Sequence, residues 1–135
     1  MDDRQTRLTQ VLIVDDDPRY TEMLAVALEV EGFLTERVHD PRKVHEMALA
    51  MNPDVIVTDV AMPDMDGFTM AAGLKSDRRT AQIPLLFVSA TGEPAKGSVN
   101  FDGTDVNYLM KPFSMKELVS RIRLLSRQST EGVRS

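Results

Sequence analysis

The amino-acid sequence predicts one α/β domain, in which helices pack on both faces of a parallel β-sheet. Five short predicted strands alternate with segments of helical periodicity, and this alternation implies parallel strands joined by right-handed crossovers. The run at 55–57 is continuously β-branched, which is typical of a strand that helices cover on both faces. The 135 residues leave room for one domain with a substantial core.

Composition narrows the class of protein. Hydrophobic residues make up 42% of the chain and charged residues 27%, as in ordinary globular domains. The net charge of -5 provides no general basic surface, so we expect no direct nucleic-acid binding by this domain. The absence of cysteine excludes disulfides and thiolate metal sites. The sequence contains no apolar run of membrane-spanning length and no signal-peptide pattern, so we expect a cytoplasmic protein without membrane contact.

The chain begins with a polar segment and a first strand. Residues 1–8 lack an apolar pattern, which predicts a flexible N-terminal arm. The apolar run Gln10–Val14 predicts a strand, and three aspartates at 15–17 follow it before Pro18, which suits the first turn of a helix. Taken alone, such a run of aspartates is typical of a solvated turn that caps a helix.

The next segments predict two helices separated by a weak strand. Apolar residues recur at spacings of three and four and define a helical stripe that Gly32 ends: Tyr20, Met23, Leu24, Ala27 and Leu28. Residues 33–38 alternate weakly, as an edge strand allows, and residues 41–51 predict the second helix. The pattern gives no role to His39 or His45.

The run 55–57 predicts the central strand. Asn52-Pro53 and Met62-Pro63 exclude helix on either side, so the strand ends at Asp59. In open α/β sheets the ligand crevice lies outside the carboxyl ends of the strands. We therefore expect the Asp59 carboxylate to face a site and not the core.

Two further strands are predicted in the second half of the chain. Residues 84–88 predict a fourth strand that ends in Ser89-Ala90, and residues 106–110 predict a fifth that ends in Lys111-Pro112-Phe113. Four apolar runs therefore end in Asp, Asp, Ser and Lys, and the carboxyl ends of parallel strands meet at one edge of the sheet.

Helical signals accompany these strands. Asp66-Gly67 turns the chain into a predicted helix at 68–74. The segment 92–103 is rich in glycine, and each glycine in a helix interior costs about 1 kcal/mol, so any helix there should be short. Ser114 and Glu117 form a capping box in front of the last helix.

The gathered carboxylates indicate a metal site. Asp15, Asp16 and Asp59 are delivered to one edge by two strands, and closely placed carboxylates repel one another. Such an oxygen-rich cluster is stable mainly as the ligand set of a hard divalent cation. The sequence therefore predicts a site for a hard divalent cation such as Mg2+.

Together these motifs resemble the receiver domain of two-component response regulators. The resemblance rests on Asp15-Asp16, Asp59 with Met62-Pro63 and Asp66-Gly67, Ser89-Ala90, and Lys111-Pro112-Phe113, in this order. It covers residues 9–127 and leaves 128–135 as a polar tail or the root of a linker. It implies a flavodoxin-like, CheY-like doubly wound sheet with strand order 2-1-3-4-5.

The resemblance also implies how the site works. Asp59 would be the phosphoacceptor that takes a phosphoryl group from a sensor histidine kinase or a phosphotransfer protein. Asp16 and Asp59 would bind Mg2+ directly, with Asp15 acting mostly through water and the backbone carbonyl of Ala61 completing the protein ligands. The Lys111 ammonium would pair with the phosphoryl oxygens, and the Lys111-Pro112 peptide bond is expected to be cis.

A switch is implied as well. Ser89 would hydrogen-bond a phosphoryl oxygen, and its movement would make room for Tyr108 to rotate and change the partner-binding face. Beyond its own phosphorylation and dephosphorylation, no enzymatic activity is expected.

The last helix is similar to that of receivers of the OmpR/PhoB type. Glu117 and Arg121 match two residues that pair across a dimer in that group, which predicts a homodimer through the face at 92–127. Val106-Asn107 replaces the acidic pair expected before Tyr108, and this departure weakens the dimer prediction. Two alternative functions stay open: a pseudo-receiver that acts as an unphosphorylated interaction module, and a Mg2+-dependent phosphohydrolase.

Overall fold

The computed structural model describes residues 8–62, 65–89 and 107–134, and these form a five-stranded parallel sheet with helices on both faces. The strand order is β2-β1-β3-β4-β5, and all four neighbouring pairs are parallel. The strands are β1 (Gln10–Val14), β2 (Leu34–Val38), β3 (Val55–Asp59), β4 (Leu85–Ser89) and β5 (Asn107–Met110). The predicted fold class and strand order are confirmed.

Four α-helices belong to the described residues: α1 (Pro18–Val30), α2 (Val44–Met51), α3 (Gly67–Lys75) and α4 (Met115–Arg134). A short 3-10 helix, Pro41–Lys43, leads into α2, so the predicted helix at 41–51 begins with a tighter turn. The segment predicted to be at most a short helix, 92–103, lies outside the described residues. None of the helices among 8–62, 65–89 and 107–134 has the length and apolar character needed to cross a membrane.

The last helix is longer than the sequence predicted. We expected a polar tail at 128–135, whereas the backbone of α4 is helical as far as Arg134. No proline interrupts this stretch, and it contains Arg, Gln and Glu, which are good helix formers. Its use as the root of a linker stays a prediction.

The capping box predicted at the start of α4 is confirmed. The Glu117 amide donates to Ser114 Oγ at 3.1 Å, and the Ser114 amide donates to Glu117 Oε1 at 3.4 Å. Each side chain thus satisfies a backbone amide that the helix itself leaves without a partner.

Alternate side chains of the central strands β1 and β3 pack into two separate hydrophobic cores, one on each face of the sheet. Val11, Ile13, Val55 and Val57 pack beneath α1 and α4, whereas their neighbours on the same strands pack beneath α2 and α3. Both faces of β1 and β3 are therefore covered, as the continuous apolar runs predicted.

Two methionines of the predicted elements are exposed, Met23 of the α1 stripe and Met110 of β5. Leu24 and Leu28 of the α1 stripe are buried, but Met23 is 57% exposed because it lies off the face that α1 presents to the sheet. Met110 is 58% exposed at the end of β5, the outermost strand on that side of the sheet among the residues that the structure describes.

The strand register brings the carboxylates together. Val14 pairs with Thr58 across β1 and β3, so the residues that follow them, Asp15 and Asp59, leave the sheet side by side. At the other side of β3, the Lys111 amide donates to the Ser89 carbonyl at 2.8 Å and fixes the chain after β5 to the end of β4. The sheet itself thus aligns four of the predicted site residues.

Gly67 allows α3 to approach the end of β3. Its amide donates to the Val60 carbonyl at 2.8 Å, and a Cβ atom here would clash with the Asp59 carbonyl oxygen and lie 3.2 Å from Val60 Cα. The backbone that carries Asp59 is therefore in direct contact with the first residue of α3, and only glycine fits there.

We predict opposite effects for two glycine substitutions in α3. Gly67→Ala should lower the free energy of unfolding by about 1–3 kcal/mol, because the backbone of Asp59 must shift to accept the methyl group. Gly73→Ala should be neutral or stabilising by up to about 1 kcal/mol, since no described atom beyond its own chain neighbours and helix backbone lies within 4 Å of the added Cβ.

Urea denaturation of both variants measures the difference. The two substitutions reduce the entropy of the unfolded chain equally, so their difference isolates the clash. Equal free energies of unfolding for Gly67→Ala and Gly73→Ala would show that α3 does not constrain Asp59.

Candidate functional site

Three carboxylates meet at the carboxyl edge of the sheet. Asp15, Asp16 and Asp59 each offer an oxygen, and these oxygens lie within 4.8 Å of one another. Asp15 is only 4% exposed, Asp59 is half-buried and Asp16 is exposed. The structure therefore brings together the three aspartates that the sequence predicted as one cluster.

Backbone amides orient two of these side chains. Asp15 Oδ1 accepts a hydrogen bond from the Asp17 amide at 2.9 Å, and Asp59 Oδ1 accepts one from the Val60 amide at 2.8 Å. Asp17 also caps α1, because its Oδ1 accepts from the Arg19 amide at 2.9 Å. With Oδ1 occupied in this way, the Oδ2 atoms of Asp15 and Asp59 both face Lys111.

Burial disfavours the charged form of Asp15. It raises the pKa of Asp15 from 3.8 to about 6, and the negative charges of Asp59 and Asp16 add to the effect. The Asp17 amide and the Lys111 ammonium act in the opposite direction without cancelling it. The charged form of Asp15 is therefore less favourable in this site than in water.

Lys111 lies between the two inner carboxylates. Its Nζ atom is 4.0 Å from Asp15 Oδ2 and 3.9 Å from Asp59 Oδ2. The same atom lies 4.3 Å from the ring centroid of Tyr20, in the first turn of α1. The Lys111-Pro112 peptide bond is cis, as expected.

The other predicted residues, Ser89, Ala61 and Tyr108, differ in their exposure to solvent. Ser89 is buried at the end of β4, next to the Lys111 backbone, and Ala61 is exposed two residues beyond Asp59. Tyr108 lies on β5 with its ring stacked on Phe87, 5.5 Å between centroids, and burial raises the pKa of its phenol to about 12. The roles predicted for Ser89, Ala61 and Tyr108 stay predictions.

The donor set fits a hard divalent cation. Mg2+ takes oxygen ligands at about 2.0–2.1 Å, which places ligands on opposite sides of the ion about 4 Å apart. Adjacent ligands lie closer still, about 3 Å apart, so oxygens within 4.8 Å of one another would have to move inward to bind one ion directly, or bind it partly through water. The unneutralised charge at Asp15 favours a cation as well.

Comparison with known proteins identifies the family. The family model of the response regulator receiver domain matches residues 11–123 of this chain. The chain belongs to this family. Two-component signalling is therefore the context in which this receiver domain acts.

Curated relatives of this receiver domain are transcriptional regulators. It is 35% identical over 122 residues to RpaA of Synechocystis, a DNA-binding dual master transcriptional regulator, covering 90% of this chain and 51% of the relative. It is 34% identical over 122 residues to the phosphate regulon regulatory protein PhoB of Pseudomonas aeruginosa, covering 90% and 53%. The chain thus spans about half the length of the curated relatives it matches.

Solved structures agree with this fold. The chemotaxis response regulator CheY4 of Vibrio cholerae superposes with a TM-score of 0.78 at 26% identity, covering 88% of this chain and 99% of that one. The receiver domain of the Francisella response regulator 1452 gives 0.77 at 27% identity, covering 90% and 98%. In both comparisons nearly all of the solved chain is covered by this receiver domain.

Sequence reasoning missed one residue of the site. Tyr20 was assigned to the core stripe of α1, and its half-buried ring does pack against that core, but one face of the ring lies against the Lys111 ammonium. No pattern in the sequence distinguishes a core tyrosine from one that also contacts a cation. The two histidines are not in the cluster: His39 pairs with Thr21 and His45 with Asp77.

We predict that Asp15→Asn stabilises the metal-free protein in a pH-dependent manner. The folded-state pKa of Asp15 lies above its ordinary value, so the wild type loses stability as pH rises from 3.8 through about 6. Above that range, Asp15→Asn should be more stable than the wild type by about 2–3 kcal/mol, and below it the two should converge.

Urea denaturation in the presence of a chelator, at several pH values across this range, measures the effect. Asp17→Asn provides the control, since Asn also caps a helix and the substituted side chain lies outside the cluster. A constant difference between Asp15→Asn and wild type at all pH values would contradict the assigned cause.

Proposed function

We propose that this receiver domain accepts a phosphoryl group on Asp59 from a phosphohistidine of a sensor histidine kinase or a phosphotransfer protein. The observation that carries the proposal is the position of Asp59 Oδ2, at the carboxyl edge of the sheet, beside Lys111 and two further carboxylates. An oxygen of Asp59 forms a bond to phosphorus while the phosphorus–nitrogen bond of the donor breaks, and the departing imidazole takes up a proton from solvent.

The neighbouring residues support this transfer by position and charge. Lys111 provides a cation for the phosphoryl oxygens at a point 3.9 Å from the acceptor carboxylate. Asp15, Asp16 and Asp59 would hold Mg2+ together with the Ala61 carbonyl. When bound, this ion neutralises charge on the carboxylates and on the phosphoryl group.

The conformational response is proposed to start at Ser89. Its hydroxyl would bond a phosphoryl oxygen, and β4 and β5 would transmit the shift to Tyr108, whose ring packs against Phe87 and Phe68. The partner-binding face changes as a result.

The predicted dimer face receives no new support. Arg121 donates to the Tyr108 carbonyl at 3.0 Å, and Glu117 serves the capping box with Ser114. Both residues that suggested pairing between two copies have partners inside the domain. The pseudo-receiver and phosphohydrolase alternatives also gain no specific observation from the described residues.

We predict that acetyl phosphate adds one phosphoryl group to the protein only when Mg2+ is present. A dianionic donor cannot approach the three carboxylates without a cation. Intact-mass measurement should detect the addition in the wild type and lose it in Asp59→Asn or with excess chelator.

Asp66→Asn is the matched control. It changes a nearby carboxylate in the same way, and Asn can replace the Asp66 side chain that caps α3 by accepting from the Thr69 amide. Labelling of Asp59→Asn at the wild-type level, or loss of labelling in Asp66→Asn to the same degree, would refute the assignment of Asp59.

We also predict that Lys111→Ala separates labelling from the conformational response. Without the ammonium, phosphoryl transfer should still occur, but slowly. The end of β5 then has no charged group that contacts the phosphoryl oxygens, so it should not respond to them. Amide NMR spectra with and without beryllofluoride should show changes confined to residues near Asp59. Lys116→Ala is the control, because it removes a charge from α4 outside the site and should respond like the wild type. A full response in Lys111→Ala would exclude Lys111 from the switch.

A further inference from the structure

Tyr20 provides the Lys111 ammonium with an aromatic face. The ring belongs to the first turn of α1 and packs against the core beneath α1 and α4. Lys111 Nζ lies 4.3 Å from the ring centroid, well within the range of about 6 Å over which a cation is attracted to an aromatic face. The contact therefore joins the start of α1 to the end of β5.

The carboxylates alone do not fix the ammonium. Its distances to Asp15 Oδ2 and Asp59 Oδ2 are 4.0 and 3.9 Å, whereas a charge-assisted hydrogen bond is about 2.7–2.9 Å long. The ammonium is nearly equidistant from these two oxygens and is too far from each for a hydrogen bond. Within the described part of the chain the Tyr20 ring is a third contact, and it limits movement of the ammonium away from the carboxylates.

The ring acts as a neutral phenol. Burial raises the pKa of Tyr20 to about 12, and the charges of Asp15 and Asp59 add to this shift. Its hydroxyl oxygen is buried, and among residues 8–62, 65–89 and 107–134 it has no hydrogen-bond partner. The contact with Lys111 therefore depends on the aromatic face and not on the hydroxyl group.

We propose that Tyr20 is a positioning residue, which holds the Lys111 ammonium between Asp15 and Asp59 through a cation–π contact before phosphoryl transfer. This inference rests on the proposed function of Asp59. A cation that is already in place needs little reorganisation when charge develops on the phosphoryl oxygens. Loss of the ring lets the ammonium occupy other positions, and the transfer then slows.

Three variants separate the ring face from packing and from the hydroxyl group. Tyr20→Phe keeps the face and removes the hydroxyl, whereas Tyr20→Leu keeps an apolar side chain and removes the face. Phe33→Leu is the matched control, because Phe33 is a buried aromatic of the same core with its own cation, Arg123, 4.7 Å from the ring centroid.

The first measurement uses unphosphorylated protein in a chelator. Protons above an aromatic face experience a ring current, so the Lys111 ε-methylene should resonate upfield of the exposed Lys116 in carbon–proton NMR spectra. The upfield shift should persist in Tyr20→Phe and Phe33→Leu and disappear in Tyr20→Leu. No upfield shift in the wild type, or a shift that survives in Tyr20→Leu, would overturn the proposed contact.

The second measurement is the initial rate of phosphorylation by acetyl phosphate with Mg2+. Tyr20→Leu should be slower by roughly threefold to thirtyfold, the range that corresponds to a partly to fully desolvated cation–π contact. Tyr20→Phe and Phe33→Leu should stay within about twofold of the wild type, since both keep the contact with Lys111.

The outcomes distinguish this inference from the proposed function. Equal slowing of Tyr20→Phe and Tyr20→Leu would assign the effect to the hydroxyl, and equal slowing in Phe33→Leu would assign it to core packing; either result overturns the positioning role. If the wild type is not labelled at all, the proposed function of Asp59 is refuted, and with it the positioning role. The NMR measurement still tests whether Tyr20 contacts Lys111.

Discussion

The constraint that organises this receiver domain is the parallel, in-register pairing of β1 with β3, which crowds three carboxylates at one edge of the sheet. β1 and β3 run parallel and in register, so Asp15 and Asp59 emerge side by side, with Asp16 at the rim. The fold thereby buries Asp15 beside like charges at a cost: burial first, and the charges of Asp59 and Asp16 in addition, raise the pKa of Asp15. A cation or a protein ammonium that binds beside these carboxylates relieves this cost.

Several separate elements keep this arrangement rigid. Gly67 lets α3 contact the backbone of Asp59, the Ser89 carbonyl holds the Lys111 backbone, and the Tyr20 ring contacts the Lys111 ammonium. These contacts come from helices on both faces of the sheet and from its edge strand. Side chains held by packed elements need little movement when a substrate binds, which is the condition for electrostatic catalysis.

Much of this arrangement could be predicted from the sequence because strand ends are marked by a change from apolar to polar residues. The run at 55–57 placed Asp59 at a strand end, whereas the strand order came only from the family resemblance, since alternation does not fix it. The exposure of Met23 and the ring contact of Tyr20 depend on how α1 is rotated against the sheet. Such rotation follows from packing between distant segments, which local spacing does not encode.

The most direct test of the charge-crowding account is the effect of Mg2+ on the free energy of unfolding near neutral pH. Mg2+ should stabilise the wild type in proportion to the logarithm of its concentration once the site is nearly saturated. Asp15→Asn should start from higher stability in the chelator and gain much less from Mg2+, because it lacks one of the repelling charges and one of the carboxylates that would hold the ion. Equal stabilisation of both proteins by Mg2+ would contradict the account, since the ion would then bind independently of the crowded carboxylates.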